Sequence, residues 1–291
     1  MVFNPHAAVG RAARLLPALR AALQQFATLE VLETRGAGDA VERVARADLA
    51  GCDGLLAAGG DGTLFEVLNG LYAQPAERRV PLGVVPVGTG NAFARDLGLR
   101  PGDWEKGVGI VRAGRQQRVD VGRVSHVGGA YHFLNIVGAG LPVDAMRTAE
   151  RLKFLGKSAY SVAAMWRALR LQTYPFQLEL DGEIIEQEAL FVEISNSRFT
   201  GTSFLMAPAA EFDDGLLDVI VLRRLSRRRL LRLFPTIYRG RHVEYAEVLT
   251  RRTRCVRLLA PPGLLLAPDG EFRGCTPATV ECLHRDLAIF A

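Results

Sequence analysis

Up to Val119 the chain alternates short apolar runs with amphipathic stretches. Leu55 to Ala58 is an apolar run bounded by glycines and Val80 to Val87 is a second, and runs so short and continuous predict central parallel strands covered on both faces. After the first run, Leu64, Val67, Leu68 and Leu71 recur at three and four residues, which predicts a helix with one buried face. Leu15, Leu16, Leu19, Leu23 and Phe26 form a similar stripe, with Pro17 tolerable only in a first turn or at a kink. Leu29 to Glu33 reads as a strand and Ala40 to Leu49 as a helix. Met1-Val-Phe before Asn4-Pro5 is short for a strand, which implies a native start with a few more residues. Strands alternating with helices, each strand running into a glycine-bearing loop, predict a doubly wound parallel sheet with its ligand at the strand carboxyl ends.

Around Val119-Asp120-Val121 the texture changes to short alternating strands. Tyr131 to Val137, Leu190 to Ile194, Leu216 to Leu222, Val256 to Ala260, Leu264 to Ala267 and Thr279 to Leu283 are strand-like, and Phe176, Leu178 and Leu180 alternate into an Asp181-Gly182 hairpin turn. Ser158 to Leu171 and Ser226 to Tyr238 read as helices. The chain is therefore expected to be an α/β protein of two domains. A doubly wound nucleotide-binding domain spans 1–119, and a mainly antiparallel β-domain spans 120–291, its extreme C-terminus free to pack back on the first.

The turn between the first apolar run and its helix is Gly59-Gly-Asp-Gly62. Glycines let backbone N–H groups close on a phosphate, and the helix behind points its positive end at the same place, with Thr63 as its expected cap. A bare connection has no need of Asp61, whereas a phosphate site uses a carboxylate to orient magnesium, water or a ribose hydroxyl. The spacing fits neither the dinucleotide fingerprint nor the P-loop. The second run opens onto another glycine loop, Gly88-Thr-Gly-Asn91.

Composition narrows the setting. Hydrophobic content of 49% and charged content of 23% are those of a globular protein with a full core. No apolar run reaches the ~18 residues of a spanning helix, and no basic n-region and long h-region follow Met1, so a cytoplasmic protein is expected. Cys52, Cys255, Cys275 and Cys282 include no C-x-x-C pair, which argues against a zinc site or a disulfide framework. His6, His126, His132, His242 and His284 show no ligand spacing and read as structural or surface groups.

Asn4-Pro5, Gly59 to Leu71, Pro86 to Arg95, Asp120-Val-Gly122, Ala207-Pro208 with Asp213-Asp-Gly-Leu-Leu-Asp218, and Asp269-Gly-Glu271 together resemble, in order and over nearly the whole chain, the diacylglycerol kinase catalytic family, which includes bacterial lipid kinases and the sphingosine and ceramide kinases. The resemblance implies a Rossmann-like first domain of the phosphofructokinase and NAD kinase kind, a β-sandwich second domain, and phosphorylation of a lipid hydroxyl with ATP and Mg2+ as cofactors. By the same resemblance Asn4, Thr34, Gly59, Gly60, Asp61, Gly62, Thr63, Leu64, Phe65, Gly88, Thr89, Gly90 and Asn91 line the nucleotide. Asp269 or Glu271 accepts the substrate proton, and Asp61 is catalytic. Glu211, Asp214 and the backbone carbonyl of Leu216 match positions that hold magnesium, and Asp120 belongs with Asp61 to an acid network. Where many bacterial members have Asp after Gly-Thr-Gly-Asn this chain has Ala92, nearer the sphingosine and ceramide kinases. Gly-Gly-Asp-Gly-Thr also resembles the NAD kinases, which leaves an NAD kinase-like activity, or nucleotide or lipid binding without turnover, as alternatives; Asp269-Gly-Glu271 favours the lipid kinase.

Charge points to the partner. The net charge of +5 is concentrated between Arg223 and Arg257, where twelve arginines including Arg227, Arg228 and Arg229 are opposed only by Glu244 and Glu247. No nucleic-acid recognition motif accompanies them, so the expected partner is a lipid substrate at an anionic membrane surface, met by a peripheral protein of open oligomeric state.

Overall fold

A computed structural model describes residues 1–151, 159–201 and 203–291. The described residues fall into two compact units, Met1–Val119 with Arg285–Ala291, and Asp120–His284. The last seven residues thus belong with the first unit rather than closing the second.

The first unit contains β1 (Val2–Phe3), α1 (Leu16–Gln24), β2 (Leu32–Glu33), α2 (Asp39–Arg46), β3 (Leu55–Gly59), α3 (Asp61–Tyr72), β4 (Leu82–Pro86), α4 (Ala92–Asp96) and α5 (Trp104–Ala113). Its strands are parallel in the order β4-β3-β1-β2, with Leu55 to Gly59 registered on Leu82 to Pro86. Every residue of β3 and β4 is buried, because helices cover both faces: α1 packs with α5 on one side, α2 with α3 on the other. Leu64, Val67, Leu68 and Leu71 are all buried on α3, as their spacing predicts. The strand expected from Leu29 forms only at Leu32–Glu33, since β1 offers just two residues to pair with.

The second unit comprises β5 (Gln116–His126), which starts in the first unit, β6 (Gly129–Phe133), β7 (Ile136–Gly140), α6 (Leu141–Arg151), α7 (Ala159–Ala168), β8 (Tyr174–Leu180), β9 (Glu183–Ser195), β10 (Phe199–Thr200), β11 (Phe204–Leu205), β12 (Leu217–Arg223), α8 (Arg227–Leu233), β13 (Val248–Thr253), β14 (Cys255–Ala260), β15 (Leu266–Pro268) and β16 (Ala278–Phe290), which ends in the first unit beside β4. Pairing within it is antiparallel. The long β9 is central: β12 lies along one edge, while β8 and then β7 share the other. Asp181 and Gly182 both take positive φ in the predicted hairpin turn. An apolar layer including Phe191, Phe204, Ile220, Leu230 and Phe234 joins this sheet to α6, α7 and α8. Ser158, the expected start of α7, lies outside the described residues.

Candidate active site

In the first unit the two glycine loops are built against each other. Gly88 N–H donates to the Gly59 carbonyl at 2.9 Å, and Asn91, held at φ 53°, donates its side-chain amide to the same carbonyl at 2.9 Å. A Cβ on Gly88 would lie 2.4 Å from Gly60 Cα, so only glycine permits this approach. Asp61 sits on the first turn of α3, and its Oδ1 accepts the Ala92 N–H at 2.6 Å. Ala92 thus holds Asp61 through its backbone N–H, a contact that does not depend on its side chain. A Cβ on Gly90 would meet Asp61 Oδ2 at 2.4 Å, which places the carboxylate between the loops.

The predicted cap of α3 is corrected here. The N-cap is Gly60, which has no side chain to satisfy the first N–H groups, while Thr63 lies inside the first turn and accepts the Asn4 amide at 3.0 Å. Behind the turn, Thr34 is buried and donates its N–H to the Phe3 carbonyl. Leu64 and Phe65 are buried in the helix, so any part they take in nucleotide binding is through backbone. A helix start without a side-chain cap, where even a Cβ on Gly60 would meet only Gly88 Cα within 4 Å, at 3.7 Å, fits a phosphate group.

The remaining acids lie in the second unit. Asp269, at φ 44° just after β15, is buried and receives three backbone N–H groups, from Leu134 (3.0 Å), Asn135 (3.0 Å) and Ile136 (2.9 Å). Burial pushes its carboxyl up to about 6, against the pull of those hydrogen bonds. This clamp also explains why the strand expected over Tyr131 to Val137 is split into β6 and β7: the backbone between them turns to serve Asp269. Glu271, two residues on, is exposed, its N–H bonded to the Pro268 carbonyl at 2.7 Å.

Asp120 is fully buried; its Oδ2 accepts the Gly215 N–H at 2.6 Å and its Oδ1 faces His284 Nδ1 at 2.9 Å. Asp120 thus braces the loop that carries Glu211, Asp214 and Leu216. Asp214 caps that loop through the Leu216 N–H at 2.9 Å and also meets Arg252. Two groups absent from the sequence-based set complete the cluster. Arg252, opposite Asp218 in the β12–β13 ladder, lies 3.5 Å from Asp218 Oδ2, a buried oxygen with no hydrogen bond. Burial raises the Asp218 carboxyl to about 6; Arg252 opposes this, and Asp214 and Glu211 add to it. The sequence signal for Asp218 is its place at the end of Asp213-Asp-Gly-Leu-Leu-Asp218, whereas nothing local marks Arg252 among so many arginines. Among the described residues no three His, Cys, Asp or Glu side chains form a metal cage. The unsatisfied buried oxygen of Asp218, with Asp214 and Glu211 near enough to raise its carboxyl, fits a hard cation that takes carbonyls and waters for its other ligands.

Residues 1–124 match the family model described as the diacylglycerol kinase catalytic domain, and residues 135–291 match the YegS C-terminal NAD kinase beta sandwich-like domain. A diacylglycerol kinase of Mycobacterium tuberculosis is 35% identical over 266 residues, covering 90% of this chain and 84% of that protein. The chain belongs to the diacylglycerol kinase family. Another member, the diacylglycerol kinase of Bacillus subtilis, is 31% identical over 88% of this chain and 83% of its own length. The crystal structure of a diacylglycerol kinase from Bacillus anthracis superposes with a TM-score of 0.79 at 25% identity, over 99% of this chain and 95% of that one. An NAD kinase from Archaeoglobus fulgidus shares the fold alone, with a TM-score of 0.50 at 12% identity, over 100% of this chain and 92% of that one. Kinase membership and the two-domain α/β and β-sandwich architecture expected from the sequence are thereby established.

Proposed function

We propose that this kinase transfers phosphate from ATP to a hydroxyl of a lipid, with magnesium. The observation that carries the reading is Asp61, held between two interlocked glycine loops at a helix start without a side-chain cap. The names of the bacterial relatives support a lipid acceptor, and the Archaeoglobus NAD kinase of the same fold is described in complex with ATP.

ATP supplies the γ-phosphoryl group, and magnesium offsets the charge on its oxygens. Gly59 to Thr63 and Gly88 to Asn91 would hold phosphate through backbone N–H groups, with Asn4 and Thr34 nearby. Asp61 orients the reacting groups. Glu211, Asp214, Asp218 and the Leu216 carbonyl would hold a cation in the second unit. The burial of Asp269 and its three N–H partners suit it to shaping the 134–136 backbone, so the exposed Glu271 is the better base for the substrate proton.

The lipid is met at an anionic membrane through α8 and Arg224 just before it. Arg229 is engaged by Glu247 at 2.8 Å and stacks on Tyr245, and Arg227 donates to the Leu169 carbonyl at 3.0 Å. Arg224, Arg228 and Arg232 are exposed with no ion-pair partner among the described residues, and Leu231 between them is 50% exposed. These are the side chains left to meet lipid phosphates. Chromatography of labelled product after incubation with ATP and diacylglycerol, sphingoid base, ceramide or NAD tests the assignment; label only in NADP, or none at all, contradicts it.

A further inference from the structure

The apolar layer of the second unit contains one acid that the roles above do not use. Glu193, on β9, is completely buried. Its Oε1 accepts the Thr200 hydroxyl at 2.5 Å and lies 3.5 Å from the Ser195 hydroxyl, while its Oε2 has no hydrogen-bond partner among the described residues. An unsatisfied carboxylate oxygen in such a place is costly, and a natural core retains one for a reason.

Its position suggests that reason. Across the sheet Glu193 is level with Ile220 on β12, and with Gly138 on β7 and Ala267 on β15. Gly138 and Ala267 carry so little side chain that, among the described residues, Glu193 is the long polar group of this row. The next row in the same direction runs from Ser195 through Ile136 to Asp269, only two residues or roughly 7 Å further along the strands. Ile220 and Phe191 place the Glu193 face in the apolar layer under α6 and α7. Those helices meet that layer through Ala145, Ala164 and Ala168, with Leu141 and Met165 also packed against it. On the outer side of α7, Val162, Met165, Trp166 and Leu169 form an open apolar groove, and Met165 and Leu169 also pack against the layer.

We infer that Glu193 is a specificity-determining residue: its free oxygen accepts a hydrogen bond from a second hydroxyl or an amide N–H of the lipid, beside the hydroxyl that is phosphorylated. The inference rests on the lipid-kinase reading. It deepens that reading by favouring a ceramide-like or monoacylglycerol-like substrate over diacylglycerol, whose single hydroxyl is used as acceptor of phosphate. A site built to accept a donor discriminates strongly against an analogue lacking it, because its own polar group is then left unpaired.

The experiment measures kcat and KM for ceramide, monoacylglycerol and diacylglycerol in mixed micelles at pH 8, with the native chain, Glu193→Leu and Glu193→Gln. The native chain is expected to prefer a donor-bearing lipid. Glu193→Leu should lower the ratio of kcat/KM for that lipid over diacylglycerol by ~10-fold or more, through KM. Glu193→Gln, which keeps an acceptor oxygen and is close in shape, should retain part of the preference, and thermal unfolding establishes that both variants are folded. A native preference for diacylglycerol, or a ratio unchanged in folded Glu193→Leu, overturns the role of Glu193 and leaves the kinase reading standing. No phosphorylation of any lipid overturns both.

Discussion

At the scale of single residues, neighbouring groups have separable roles. Asp61→Asn keeps an oxygen for the Ala92 N–H but removes the charge, so kcat should fall by ~100-fold while ATP affinity changes little. Gly88→Ala forces a Cβ against Gly60 Cα, so the loops must part. ATP affinity should then fall at least ~10-fold, and overpacking of this kind costs ~1–3 kcal/mol of stability. Steady-state kinetics, titration calorimetry and thermal unfolding distinguish these outcomes, and unchanged turnover in both variants contradicts the cradle. At the other motif, Glu271→Gln should lower kcat by ~100-fold with the melting temperature kept, whereas Asp269→Asn presents an NH2 group to backbone donors and should lower stability and activity together. The reverse pattern would make Asp269 the base. Much of this was legible in the sequence because glycine spacing and acid-rich turns are local signals. Arg252 and Glu193 were not, since each acquires its meaning from a ladder partner or from burial; Asp218 was visible as the end of an acid-rich motif, but its pairing with Arg252 was not.

Secondary elements were legible where their pattern is free of local conflict. The strands β3 and β4, the helix α3 and the Asp181-Gly182 hairpin follow directly from apolar runs, spacing and turn residues. The helix α5 was hidden by Gly107 and Gly109; Gly107 is required because a Cβ there would lie 2.9 Å from the Val84 carbonyl oxygen. The helix expected from Ser226 to Tyr238 ends at Leu233 and continues as a tighter turn through Phe234–Arg239, since Pro235 cannot supply the next N–H. Ser226 is the N-cap, accepting the Arg229 N–H at 3.3 Å. The orientation of α8 decides which arginines are available. Changing Arg224, Arg228 and Arg232 to Gln should weaken binding to anionic vesicles by about two orders of magnitude, and added salt should weaken the native chain in the same way. Changing Arg229, already engaged by Glu247, should have a smaller effect. Equal sedimentation with neutral and anionic vesicles, or no loss in the triple variant, rules out α8 as the dock.

For the molecule as a whole, the change from helix-and-strand alternation to period two was visible near Val119, and the return of the extreme C-terminus to the first unit was allowed for, though not its extent, Arg285–Ala291. That return depends on pairs distant in sequence, such as Ile289 beside Leu82 and the Tyr72 hydroxyl donating to Asp286 at 2.7 Å. Stability should carry the mark of the buried acids. Burial raises Glu193 to about 7, and Asp218 and Asp269 to about 6, from ordinary values of 4.5 and 3.8. In the folded chain these groups hold protons that the unfolded chain has released, so their contribution is complete below about pH 4 and is lost as pH rises through 6 to 7. The melting temperature should therefore decline between pH 5 and pH 8, and Glu193→Gln should flatten the upper part of that decline; a rise over the same range contradicts the burial argument. The most direct measurement is incubation of the native chain and Asp61→Asn with labelled ATP, magnesium and mixed micelles of the candidate lipids, followed by separation of the products. The account predicts a labelled lipid phosphate from the native chain and ~100-fold less from Asp61→Asn; an unlabelled lipid fraction, or equal labelling by the two proteins, would contradict it.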